Sequence, residues 1–144
     1  MSRFSNDLDG RLPLYGALVL RLGLAGVMIA HALLKLLVFT LPGTASFFEA
    51  HGFPGWTAYP VFGAELIGGV LLAIGVWTRL VAVALVPVML GALAVHWPNG
   101  WMFVAPHGGW EYPAFLTLAL VAQALLGGGA LSVRFPRAAL PVAK

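Results

Sequence analysis

Four apolar runs, at 14–37, 58–77, 80–97 and 112–133, occupy most of this 144-residue chain. A helix rises about 1.5 Å per residue, so each run is of the length needed to cross a hydrocarbon layer of roughly 30 Å. Between them stand only eight Lys and Arg and five Asp and Glu, against 60% hydrophobic residues. So few charges cannot coat a soluble globule of that apolar content, which excludes a soluble enzyme. The expected fold is an all-α integral membrane protein, a four-transmembrane-helix bundle in one domain spanning 14–133, with short tails at 1–13 and 134–144.

Orientation follows from the basic residues. Arg3, Arg11, Arg79, Arg134, Arg137 and Lys144 fall on one side of such a bundle, and Lys35 alone on the other. Positively charged segments stay inside, so both termini are expected to be cytoplasmic, in a bacterial inner membrane. The first run is expected to be retained rather than cleaved as a leader, because Asp7 and Asp9 spoil a basic leader segment and Arg21 breaks the apolar stretch. The net charge of +3 comes from scattered residues, not from the dense stripe that nucleic acid requires. The absence of cysteine excludes disulfides, thiol catalysis, iron–sulfur ligation and Cys-based zinc sites.

Local signals refine the bundle. The link around Trp77, Thr78 and Arg79 is short enough to force an antiparallel hairpin, with Thr78 placed to cap the third helix and Arg79 to anchor the turn at the headgroups. Gly23, Gly26 and Ala30, and Ala64, Gly68, Gly69 and Ala73, supply small faces for close helix approach. Pro60 and Pro87 are expected to bend their helices, and Gly127 to Gly129 to unwind or end the last one. The loops at 38–57 and 98–111 are rich in Phe and Trp; they read as an aromatic belt on the outer interface, or as a partner-docking surface or a lid.

Ionisable residues inside spans cost roughly 2.5–3.5 kcal/mol each on insertion scales, so they face the bundle interior and find partners. His31 and Lys35 on the first helix, Glu65 on the second, His96 ending the third and Glu111 opening the fourth all fall in the outer half, while Arg21 falls in the inner half. Lys35 could instead snorkel to the headgroups, His96 could be an ordinary interfacial residue, and Glu111 could serve only the positive end of its helix. Glu65 is too short and too deep to snorkel, so it must be protonated or paired, with Lys35, His31 or Arg21. Such a cluster suits a quinone: Glu65, His31 and His96 are the candidate proton-handling residues, and Lys35, Arg21, Glu111 and Asn99 the candidate cofactor contacts. Bis-histidine haem on His31 and His96 is a weaker alternative, and no spacing matches a metal motif.

These landmarks resemble the DoxX family of small four-helix bacterial membrane proteins. The likeness runs from about Arg21 to Ser132: Arg21-Leu22-Gly23 with His31 and Lys35; Glu65-Leu66-Ile67-Gly68-Gly69 with Gly75 and Thr78-Arg79; His96 with Asn99-Gly100; Glu111-Tyr112; and Gly127 to Ser132. One departure is Ala32, where many relatives follow the histidine with glycine. The resemblance implies a multi-pass inner-membrane protein engaged in redox work, as in thiosulfate:quinone oxidoreductase, and an oxidoreductase subunit rather than a complete enzyme. Other subunits of a redox complex, or further copies of this chain, are the implied partners. A non-catalytic membrane anchor or assembly factor, docking a partner through its aromatic outer loops, is the alternative.

Overall fold

A computed structural model describes residues 2–133, with 2–9 described by backbone alone. The basic residues Arg134, Arg137 and Lys144 of the expected cytoplasmic tail lie outside the described residues, and the side chain of Arg3 is likewise not described. Five α-helices follow in order: α1 Ser2–Leu33, α2 Leu41–Ala50, α3 Ala58–Ile74, α4 Thr78–His96 and α5 Glu111–Leu126. A π-helical turn, Leu34–Val38, extends α1, and 3₁₀ turns occupy Gly55–Thr57 and Trp97–Asn99.

Three of these segments, Gly10–Val38, Gly55–Ile74 and Thr78–Asn99, are long and apolar enough to cross a membrane. The fourth expected span is shorter than the sequence suggested. α5 has 16 residues and stops at Gly127, whose φ of +83° breaks the helix; at 1.5 Å per residue it measures about 24 Å. Residues 127–133 are irregular, so the glycines end the helix as expected while the apolar run continues past them. Two further differences are local. The first helix starts at Ser2 rather than near residue 14, and carries Pro13 within it. The 38–57 segment is not a plain loop but contains α2, opened by Thr40, whose hydroxyl accepts from the Gly43 N–H, and by Pro42 in the first turn.

α1 and α3 run antiparallel in close contact, as do α4 and α5. The α1–α3 register is visible in three pairs: Gly75 against Arg21, Gly69 against Met28 and Ile29, and Glu65 against Lys35. A Cβ on Gly69 would come within 2.7 Å of Ile29 Cγ1 and 3.1 Å of the Ile29 backbone nitrogen, so only glycine permits this approach. The interior is filled by Leu24, Met28, Leu72, Leu85, Met89 and Leu120, while Val19, Ile67, Leu80, Phe115 and Leu118 point outward. Large apolar side chains on the outside are costly in water and at no disadvantage against lipid.

The lower end of the bundle, opposite Lys35, is closed by a polar latch. Arg21 is 1% exposed; its guanidinium donates to the carbonyls of Gly128 (2.9 Å) and Leu131 (3.4 Å). The Ala130 N–H donates to Leu14 O, and Gln123 Nε2 to Gly127 O, so the irregular segment folds back onto α1. Arg79 does not reach for headgroups alone: its Nη1 donates to the carbonyls of Ala124 and Leu125, satisfying the C-terminus of α5 and complementing its dipole. Thr78 does not cap α4 either. The residue before the helix is Trp77 in a left-handed conformation with no side-chain cap, and the buried Thr78 hydroxyl makes no hydrogen bond among the described residues.

Gly75 sits at φ +77°, and a Cβ there would collide with the Arg21 guanidinium. Gly75→Ala is therefore expected to lower stability by about 2 kcal/mol or more, combining a left-handed alanine with a displaced arginine. Thermal unfolding in detergent micelles checks this; a melting temperature equal to that of the wild type would contradict the latch.

Candidate functional site

The upper end holds the remaining ionisable groups. Lys35 lies in the π turn, whose wide ring is closed by Phe39 N–H donating to Leu34 O at 2.9 Å. Such single turns are uncommon and recur at functional sites, because the inserted residue redirects a side chain that a regular helix would send elsewhere. Here Lys35 Nζ reaches both carboxylate oxygens of Glu65, at 2.8 and 2.7 Å. Glu65 is 2% exposed, and the Lys35 side chain 15%. Of the three partners open to Glu65 it is Lys35 that takes the carboxylate. Arg21, 14 residues earlier on α1, is about 21 Å away along the axis and belongs to the lower latch. Two of the three ammonium hydrogens of Lys35 are spent on Glu65.

The two histidines share one geometry. His31 Nδ1 lies 2.9 Å from Val27 O, and His96 Nδ1 lies 2.8 Å from Ala92 O. A carbonyl only accepts, so Nδ1 is the donor in both rings. In the neutral imidazole this leaves Nε2 as a lone pair, able to accept a hydrogen bond or a proton. The His31 ring stacks on Tyr112 of α5, with centroids 6.2 Å apart and planes at 28°. This contact links α1 to α5 beside the ion pair. The sequence marked Tyr112 only as part of the Glu111-Tyr112 landmark and gave it no role of its own.

The other candidates shape the loop between α4 and α5. Asn99 Nδ2 donates to the carbonyls of His107 and Gly108, at 3.2 and 2.8 Å. Glu111 Oε1 accepts from the Phe103 N–H at 2.8 Å, and the Trp110 and Glu111 N–H groups donate to Gly100 O and Trp101 O. His96 packs against this loop: a Cβ on Gly108, at φ +77°, would lie 3.2 Å from its Cδ2. Trp110 stacks on Trp97 at 4.7 Å and meets Trp101 edge-on at 4.5 Å. The six upper-end candidates thus divide into a buried ion pair, a histidine stacked on tyrosine, and a loop held by Asn99, Glu111 and His96. Among the described residues no three His, Asp or Glu side chains gather closely enough to share a metal ion.

The family profile of DoxX matches residues 16–97, which carry α1, the ion pair, the α3–α4 hairpin and His96. The chain belongs to the DoxX family. A Bacillus subtilis (strain 168) protein named "Putative oxidoreductase CatD" is 37% identical over 78 residues, covering 54% of this chain and 57% of that protein. The DoxX chain therefore spans little more than half the length of this relative. No solved structure matches it.

Removing one partner of a buried pair leaves the other charge uncompensated, at a cost of about 3–5 kcal/mol. Lys35→Met and Glu65→Gln are each expected to destabilise the protein by that order, and the double variant by clearly less than the sum. Unfolding by denaturing detergent, followed by helical circular dichroism, measures the coupling; additive losses would mean the two side chains are independent.

Proposed function

We propose that this DoxX protein is the membrane subunit of a redox complex and binds a quinone in the upper half of its bundle. The observation that carries this reading is the pairing of a buried Lys35–Glu65 couple with two histidines whose Nδ1 donors are already used. A quinone supplies two-electron, two-proton redox chemistry in a lipid-soluble form, and its ring oxygens need partners that exchange protons. His31 and His96 offer Nε2 as acceptor for a hydroxyl of the reduced ring. Lys35 offers its remaining N–H to an oxygen of the oxidised ring, and Glu65 holds Lys35 in place and is the nearest carboxylate for proton relay. Tyr112 fixes the plane of His31, while Asn99 and Glu111 hold the loop that covers this end. Arg21 serves the same bundle from below as a structural cation. The chain contains no cysteine, so a partner subunit must deliver or receive the electrons. A relative with an oxidoreductase name agrees with this assignment.

The reading includes four membrane crossings with both termini in the cytoplasm of a bacterial inner membrane. Its support is the basic residues: with Lys35 turned inward onto Glu65, the outer face keeps no free Lys or Arg among the described residues, while Arg11 and Arg79 mark the opposite face. The 16 residues of α5 cross with help from the irregular strand that follows it.

Purification in mild detergent, with mass spectrometry of the organic extract, tests the quinone. About one quinone per wild-type chain is expected, with loss of most of it in His31→Ala and in the Lys35→Met/Glu65→Gln double variant. Wild-type protein free of quinone, purified together with intact neighbouring subunits, would favour the second reading. That reading is a non-catalytic anchor or assembly factor, supported by the exposed Trp97 and Trp101 beside Trp110; it requires Trp101→Ala to release a partner protein.

A further inference from the structure

Outside the ion pair, one acid at the upper end faces the lipid side of the bundle. Glu111, Ala114, Phe115 and Leu118 line a groove of about 510 Å³ on α5, roofed by Trp101, Phe103 and Trp110. Residues at i, i+3, i+4 and i+7 share one face of a helix, and the same face continues to the exposed Leu125. From Glu111 to Leu125 this seam runs about 21 Å, enough to lie along most of an acyl chain in one leaflet of about 15 Å. A groove on the opposite side, between α3 and α4, is lined by Pro60, Gly63, Ile67, Leu71 and Leu80 among others, with no charged residue. A carboxyl group at the head of a lipid-facing seam is the feature that the second groove lacks.

Glu111 takes part in no ion pair among the described residues. One of its oxygens accepts the Phe103 N–H, and among the described residues the protein donates nothing to the other. Among the described residues no Lys or Arg lines the groove, so no cationic side chain there offers an anionic headgroup a partner. An ammonium group meets the free carboxylate oxygen beside Trp101 and Trp110, which pack edge-on against each other at 4.5 Å. A primary ammonium can also donate a hydrogen bond to that oxygen, which a quaternary one cannot.

We propose that the groove headed by Glu111 and walled by Trp101, Trp110 and Phe115 is a specific site for a phospholipid with a primary-ammonium headgroup, its acyl chain lying along α5. The site is separate from the Lys35–Glu65 pair and does not depend on the quinone reading.

Two measurements test it. The full chain in detergent micelles is given equimolar phosphatidylethanolamine and phosphatidylglycerol with identical acyl chains, and retained lipid is counted by native mass spectrometry. The wild type is expected to prefer phosphatidylethanolamine about tenfold. Glu111→Gln keeps an amide oxygen to accept the Phe103 N–H, so it preserves the loop while removing the charge, and is expected to abolish the preference. Equal retention of the two lipids by the wild type, or an undiminished preference in Glu111→Gln, would overturn the site. Should that variant fail to fold, carbodiimide coupling on the wild type decides: it condenses a carboxylate with a neighbouring amine to an amide, with the carbodiimide taking up the released water as a urea. A phosphatidylethanolamine adduct on Glu111 in preference to the exposed Glu49 supports the site. Equal labelling of both acids, or none on Glu111, rejects it.

Discussion

The contact between α1 and α3 is the constraint on which the rest of this DoxX structure rests. In hydrocarbon no water is at hand to solvate a stray charge, so each ionisable group in a span has to be satisfied by the protein. Along α1 there are two such obligations, about 21 Å apart: Lys35 near the top and Arg21 near the bottom. The first is met by α3 and the second by the segment that follows α5. Lys35 closes on Glu65, and Arg21 lies against Gly75 while its donors reach the carbonyls of Gly128 and Leu131. Between these points Gly69 lets the helices approach closely against Met28 and Ile29. A shift of α3 by one turn, about 5.4 Å, would break the Lys35–Glu65 pair and carry Gly75 away from Arg21, so both contacts mark the register of the two helices.

Helix α5 is held by a different economy. It is short, and its last carbonyls have no partner within the helix. Arg79 from the α3–α4 hairpin covers Ala124 O and Leu125 O, and Gln123 covers Gly127 O. The irregular strand after it is tolerated because protein groups take up its backbone, as in other membrane proteins with broken helices. Among the described residues Thr78 and Gln123 each retain a buried oxygen, and Arg21 an Nε, without a protein partner.

At the upper end the same demand for internal bonding sets the chemistry. Backbone carbonyls one turn earlier in each helix claim Nδ1 of His31 and His96, and this leaves both rings with the same free nitrogen. The π turn at Leu34–Val38 gives up regular helical geometry in the stretch that delivers Lys35 to Glu65. Loop closure by Asn99 and Glu111 goes with three tryptophans in contact, Trp97 stacked on Trp110 and Trp101 edge-on to it. The ion pair, the two histidines and the loop between α4 and α5 are thus built from neighbouring residues at one end of the bundle.

The sequence by itself determined the class of this protein, because a chain with so few charges and apolar runs of that length has only the bilayer as a solvent that accepts it. It also determined which residues had to be satisfied, since Arg21, Glu65 and Lys35 are costly wherever a span places them, and it marked Gly127–Gly129 as the end of the last helix. The DoxX landmarks were legible as well, for they are spaced along the chain itself. Tertiary structure alone decided the pairings. Three partners were open to Glu65, and the choice depended on the antiparallel register of α1 and α3 and on a π turn with no local sequence signal. The α2 helix was hidden because an interfacial segment need not show the long apolar run of a span. Thr78 illustrates the same limit from the other side: its position before a helix suited a cap, but the tight Gly75–Trp77 turn placed it inside the first turn and sent Trp77 into the capping position. Tyr112 was overlooked because its value comes from the His31 ring opposite, a neighbour 81 residues away in sequence. Composition and periodicity report what a residue costs in a given solvent; only the packing of helices settles which other residue meets that cost.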